Sequence, residues 1–168
     1  MTGLRNREAG SGATGRPAVL ATILRRFRNL TQRLEEVLRT ERTILAVTPN
    51  SSERAALTLF SLEQCWHTRY CNTFESALEL RQQHSFAVIL YDRDLPGVKW
   101  ETAATALLEF QEPACFILLS DSIDGKLWRD VLDCGGYDVT RKPLNRDDLV
   151  RLINGACHLA SSIDCVEI

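Results

Sequence analysis

The rhythm of apolar and polar positions changes at Thr43. Before it, apolar residues recur at 20, 23, 27, 30, 34 and 37, with Leu24 and Leu38 widening the stripe. Leu20, Phe27 and Leu34 share one heptad position, and Ile23, Leu30 and Val37 share the other, so the spacing predicts a helix of nearly three heptads. Pro17 can open that helix at its first turn. Two readings of residues 17–42 stay open: an amphipathic helix lying on its own domain, or a short parallel coiled coil that makes a homodimer through residues 20–38. Residues 1–16, rich in Gly, Arg, Ser and Thr, have almost nothing to bury and read as a flexible arm.

From Thr43 onward, short apolar runs alternate with helical patterns. The strands expected are "TILAV" (43–47), a weaker "HTRYC" (67–71), "FAVILY" (86–91), "CFILLS" (115–120) and "YDVT" (137–140). Helices are expected over 53–64, 75–83, 101–110 and 125–134, and from Asn145, with Asp147 and Asp148, to about Ala160. Gly135 and Gly136 stop the fourth of these. Runs such as Phe86–Tyr91 and Cys115–Ser120 are apolar without alternation, so they need cover on both faces. That requirement predicts an α/β domain over 43–160, a doubly wound five-stranded parallel sheet between helices, followed by a short acidic tail at 161–168.

Composition adds three limits. No apolar run in the 168 residues approaches the roughly 18 needed to span a membrane, and the N-terminus lacks the apolar stretch of a secretory signal, so a cytoplasmic protein is expected. The net charge of −2 divides into +5 over residues 1–42 and −7 over the rest, a basic extension on an acidic domain. Arg25, Arg26 and Arg28 are diluted by Glu35, Glu36 and Glu41, and nucleic acid is not an expected partner. Six cysteines are spread without a C-x-x-C pair, and His67, His84 and His158 are too scattered for a zinc site, which points to reduced, partly buried thiols.

In a parallel α/β sheet, ligands sit beyond the carboxyl ends of the strands. Thr48 and Pro49, Asp92, Ser120, and Lys142 with Pro143 stand at those ends. A carboxylate there can attack a phosphoryl group and carry it as an acyl phosphate, while an ammonium and a hydroxyl compensate its oxygens. No glycine-rich phosphate loop follows the first strand, where the chain reads "VTPNSSE".

Those residues carry a resemblance to the receiver domains of two-component response regulators. "YDRDLPG" resembles the family's D-x-x-(M or L)-P-G, which selects Asp92 over Asp94 as the phosphoacceptor. "ILLSDS" resembles the strand that ends in a phosphate-contacting hydroxyl, here Ser120. "LDCGGYDVTRKPL" is similar to L-x-A-G-A-x-D-Y-L-x-K-P-F, which puts the phosphate-contacting lysine at Lys142 before a cis Pro143. The resemblance implies a flavodoxin-like (βα)5 fold and a histidine kinase or phosphotransfer protein as donor. It also implies a protein output through the fourth helix, fifth strand and fifth helix, with Leu127 and Trp128 as contacts. At most weak self-phosphorylation and dephosphorylation would make such a protein an enzyme.

The chain departs from the family at two places. The acidic pair that helps hold Mg²⁺ is replaced by Thr48 and Pro49, which leaves Asp92 and the backbone carbonyl of Asp94 as a weak Mg²⁺ set. The Asp94 side chain and Glu53 are the carboxylates that could partly substitute. The aromatic switch position is Val139, a side chain with no swing between buried and exposed rotamers. A phosphoacceptor and a phosphorylation-independent pseudo-receiver, used for binding and dimerisation, therefore both remain open.

Overall fold

The computed structural model describes Arg28 and residues 43–164; the expected arm (1–16) and the dimerising stripe (20–38) lie outside the described residues, Arg28 apart. Five strands alternate with five helices: β1 (Thr43–Val47), α1 (Ser51–Gln64), β2 (His67–Cys71), α2 (Phe74–Gln83), β3 (Val88–Asp92), α3 (Trp100–Leu108), β4 (Cys115–Ser120), α4 (Gly125–Asp133), β5 (Asp138–Arg141) and α5 (Arg146–Asp164). All neighbouring strands are parallel, in the order β2-β1-β3-β4-β5. The predicted doubly wound α/β sheet is therefore the observed one.

The unbroken apolar runs follow from cover on both faces. Leu45 and Val47 of β1, Ile89 and Tyr91 of β3, and Phe116 and Leu118 of β4 pack toward α2, α3 and α4 with Ala77, Ala103, Leu107 and Val131. Ile44, Ala46, Val88, Leu90, Ile117 and Leu119 pack on the other side against Leu57 of α1 and Leu149, Ile153 and Ala156 of α5. Each fully buried leucine or isoleucine adds about 1.5–3 kcal/mol relative to exposure. The edge strand β2 alternates instead, with His67 and Arg69 exposed and Thr68 and Tyr70 partly buried, which is why its pattern is weak.

Some boundaries shift for identifiable reasons. Helix α1 starts at Ser51 because Asn50 caps it, its Oδ1 accepting from the Ser52 and Glu53 amides at 2.9 and 3.4 Å, a contribution of about 1 kcal/mol. Phe86 is core, but the ladder of β3 begins at Val88, and the strand runs on to Asp92. Helix α5 continues to Asp164, past the expected end near Ala160. After α4, Gly135 has φ +81°, while a Cβ on Gly136 would lie 2.6 Å from Val131 Cγ1, so both glycines are required. No helix among the described residues is long and apolar enough to cross a membrane. Cys71 and Cys115 are buried, and burial pushes both thiols up to about 11.

Candidate functional site at the carboxyl ends of the strands

The in-register ladders carry the strand ends to one rim. Asp92 pairs in register with Leu119, and Ser120 with Arg141. The Arg93 amide donates to the Leu119 carbonyl and the Lys142 amide to the Ser120 carbonyl, both at 2.9 Å, so the loops leave the sheet side by side. The Lys142–Pro143 bond is cis, as the resemblance implies.

Asp92 is the centre of this rim, and only 3% of it is exposed. Its Oδ1 accepts from Lys142 Nζ at 2.9 Å and from the Asp94 amide at 3.0 Å. Lys142 Nζ also reaches Asp94 Oδ2 at 3.2 Å and lies 3.8 Å from Asp121 Oδ1. Burial alone would lower the Lys142 pKa, but the hydrogen bonds to Asp92 and Asp94 outweigh it and hold the ammonium well above the ordinary lysine value.

The opposite oxygen of Asp92 meets a different environment. Oδ2 lies 3.1 Å from the hydroxyl of the fully buried Thr48, and that hydroxyl lies 2.8 Å from Glu53 Oε2. Glu53 follows the inward face of α1 with Leu57 and Ser61, at helical spacing, so its carboxylate is carried under the β1–α1 loop. Burial pushes its pKa up; the Thr48 hydrogen bond pulls it down, and the charge of Asp92 pushes it up again. Thr48 has one hydroxyl proton for two carboxylates. All three groups are satisfied together when Glu53 is protonated, donating to Thr48 while Thr48 donates to Asp92.

Ser120 is buried at the end of β4, but its hydroxyl donates to the Ser122 carbonyl at 2.7 Å rather than to Asp92. It accepts from Arg93 Nη1 at 3.3 Å. Arg93 had no signal in the sequence beyond its place next to Asp92, and with Asp121 it is a residue of this rim that the hydrophobic pattern does not mark. Val139 is buried in β5 and packs in the core. Leu127, expected as a partner contact, is likewise core at 5% exposure, because the inward face of α4 carries it with Val131. Trp128 is 46% exposed, and its indole donates to Asp138 Oδ1 at 3.1 Å.

The donor set falls short of a divalent cation. Mg²⁺ binds through carboxylates plus phosphate oxygens and waters in strict octahedral geometry. Pro49 offers no side-chain donor, the Asp94 carboxylate is turned to Lys142, and Glu53 is held by Thr48 and by Asn50 Nδ2 at 3.3 Å. Among the described residues no group of three or more acidic, histidine or cysteine side chains is placed to hold a metal.

The topology has a match among solved structures. A signal receiver domain from Vibrio parahaemolyticus superposes with a TM-score of 0.69 at 19% identity, covering 76% of this chain and 98% of its own. The fold is that of a receiver domain. The receiver domain of sensor histidine kinase PA1611 from Pseudomonas aeruginosa, solved with a magnesium ion coordinated in its active site cleft, has a TM-score of 0.61 at 18% identity over 70% of this chain and 98% of that one. The beryllofluoride-activated NtrC4 receiver domain dimer has a TM-score of 0.66 at 18% identity, over 71% and 98%. No family model and no curated protein matches the sequence. Within this receiver fold, Asp92 is held by Lys142 at 2.9 Å on one side and by Thr48, backed by Glu53, at 3.1 Å on the other.

Proposed function

We propose that this protein is a cytoplasmic receiver-type signalling protein that accepts a phosphoryl group on Asp92 and passes the change on through protein–protein contact. The observation that carries this reading is the buried strand-end carboxylate held 2.9 Å from a partly buried lysine, in a receiver fold. The donor is a histidine kinase or phosphotransfer protein. A carboxylate oxygen of Asp92 attacks phosphorus, the phosphorus–nitrogen bond of the phosphohistidine breaks, and its electron pair returns to the imidazole. Lys142 neutralises phosphoryl oxygens as the acyl phosphate forms, and Ser120 becomes available to them once its hydroxyl turns from Ser122. Residues 20–38 supply self-association, and the exposed edge at Trp128 faces an output protein.

A pseudo-receiver is the second reading, favoured by the neutral Thr48 hydrogen bond at 3.1 Å where family members carry charge, and by the buried Val139. Intact-protein mass after incubation with acetyl phosphate separates the two. The phosphoacceptor reading expects an adduct on the wild-type chain that is missing from Asp92→Asn, a variant that keeps its fold because Lys142 retains Asp94 at 3.2 Å. No adduct, while another receiver labels alongside, leaves the pseudo-receiver.

A further inference from the structure

We propose that Arg93, together with Lys142, is the cationic clamp of this site, so that Asp92 receives and holds a phosphoryl group without a divalent cation. This deepens the phosphoacceptor reading and rests on it. A phosphoryl dianion approaching Asp92 meets the carboxylates of Asp92, Asp94 and Asp121, all within 4 Å of Lys142, and needs positive charge to compensate them. Lys142 is already shared among Asp92, Asp94 and Asp121 at 2.9, 3.2 and 3.8 Å. The carboxylate pair that would bring in a metal is replaced by a hydroxyl and a proline, and Glu53 is tied to Thr48.

Arg93 is the remaining cation adjacent to the acceptor. Its backbone is fixed by the 2.9 Å hydrogen bond to Leu119, immediately after the last residue of β3. Its guanidinium folds back over the rim, with Nη1 3.3 Å from Ser120 Oγ, the hydroxyl assigned to the phosphoryl oxygens. Among the described residues it makes no direct ion pair, its charge acting only at longer range on Asp124, whereas Lys142 is held directly by Asp92 and Asp94. It is exposed, so a ligand reaches it from solvent. A guanidinium offers a planar fork of donors that matches two phosphate oxygens, and it keeps its charge at every physiological pH. Lys142 on the β5 side and Arg93 on the β4 side would thus grip the phosphoryl group from two directions. Swinging from Ser120 to the phosphoryl oxygens, Arg93 also releases the lone pair that it holds on that hydroxyl.

The test is labelling of the full chain by acetyl phosphate, followed by intact mass, in EDTA and in Mg²⁺, for wild type, Arg93→Ala and Arg93→Lys. In the reaction an Asp92 oxygen bonds to phosphorus while the phosphorus–oxygen bond to acetate breaks, its electron pair leaving with acetate, so no further reactant is needed. Circular dichroism checks that the variants, altered at an exposed side chain, remain folded. The expected result is an Asp92 adduct that forms in EDTA as fast as in Mg²⁺. In Arg93→Ala it should slow by between about 10-fold and 100-fold, the worth of a charge-assisted hydrogen bond, and Arg93→Lys should recover part of the loss. An adduct that needs Mg²⁺, or one that Arg93→Ala forms as fast as wild type, overturns the clamp and leaves Asp92 as the acceptor. Absence of any adduct under both conditions, while a Mg²⁺-dependent receiver labels alongside, overturns the acceptor reading and the clamp with it.

Discussion

The two sides of Asp92 answer the same problem, a buried carboxylate, with different chemistry. On the β5 side the partner is a full charge, Lys142, 2.9 Å from Oδ1 and positioned by the ladder between β4 and β5. On the β1 side the partner is a neutral hydroxyl, Thr48, 3.1 Å from Oδ2, backed by a carboxylate that has withdrawn into the first turns of α1. A charge–charge contact fixes where negative charge resides. A hydroxyl between two acids instead allows a single proton to decide how much negative charge the pocket contains. The first side presents a fixed charge pair, and the second a hydroxyl and a withdrawn carboxylate that leave little for a metal to bind.

Breaking the β5 side should have the largest effect. Lys142→Met keeps the aliphatic stem and leaves Asp92 buried without its counter-charge, and urea denaturation should register a loss of about 3–5 kcal/mol. If the loss is under about 1 kcal/mol, in the range of an exposed ion pair, the two sides are energetically alike and the contrast fails. Breaking the β1 side should matter less. Thr48→Val conserves shape but strips one donor from Asp92 and one partner from Glu53, and the same measurement should give about 1–3 kcal/mol.

The smallest effect sharpens the contrast through pH. Burial raises the Glu53 pKa, so over the interval between the ordinary carboxylate range and that raised value the folded state holds more protons than the unfolded one. The Glu53 contribution to stability is therefore fully present at low pH and is lost as pH rises through that interval. Glu53→Gln should remove this part of the slope and leave the variant no less stable than wild type at neutral pH. Thermal unfolding across pH 4–8, read as the difference between the two proteins, checks it. Lys142→Met should carry the downward slope from Glu53 to higher pH, because the ammonium it removes works to lower the Glu53 pKa.

Much of this was legible in the chain. Apolar runs covered on both faces mark β1, β3 and β4, and the residues after them, Thr48, Asp92 and Ser120, follow directly from where the runs end. Lys142 was legible for the same reason, with Pro143 marking the loop. Glu53 was harder: its nearness to Asp92 depends on the rotation of α1, which the cap at Asn50 sets. The spacing of Glu53, Leu57 and Ser61 does carry the signal, because a glutamate leading an inward stripe must find a partner. Arg93 was not legible, since an exposed loop cation can point anywhere and only the close departure of the β3 and β4 loops turns it toward Ser120. Leu127 was misassigned to a surface because that expectation came from the resemblance, whereas its spacing with Val131 puts both on the inward face of α4.

Trp128 has an optical consequence. Trp66 and Trp100 are each 7% exposed, whereas Trp128 is 46% exposed, with its indole pinned to Asp138 of β5. Emission excited at the red edge and quenched by a water-soluble quencher comes mainly from that one indole. The molecule thus carries its own fluorophore on the edge between α4 and β5, some way from Asp92, and anything that settles on that edge or draws Asp138 away will change its colour without a label being attached.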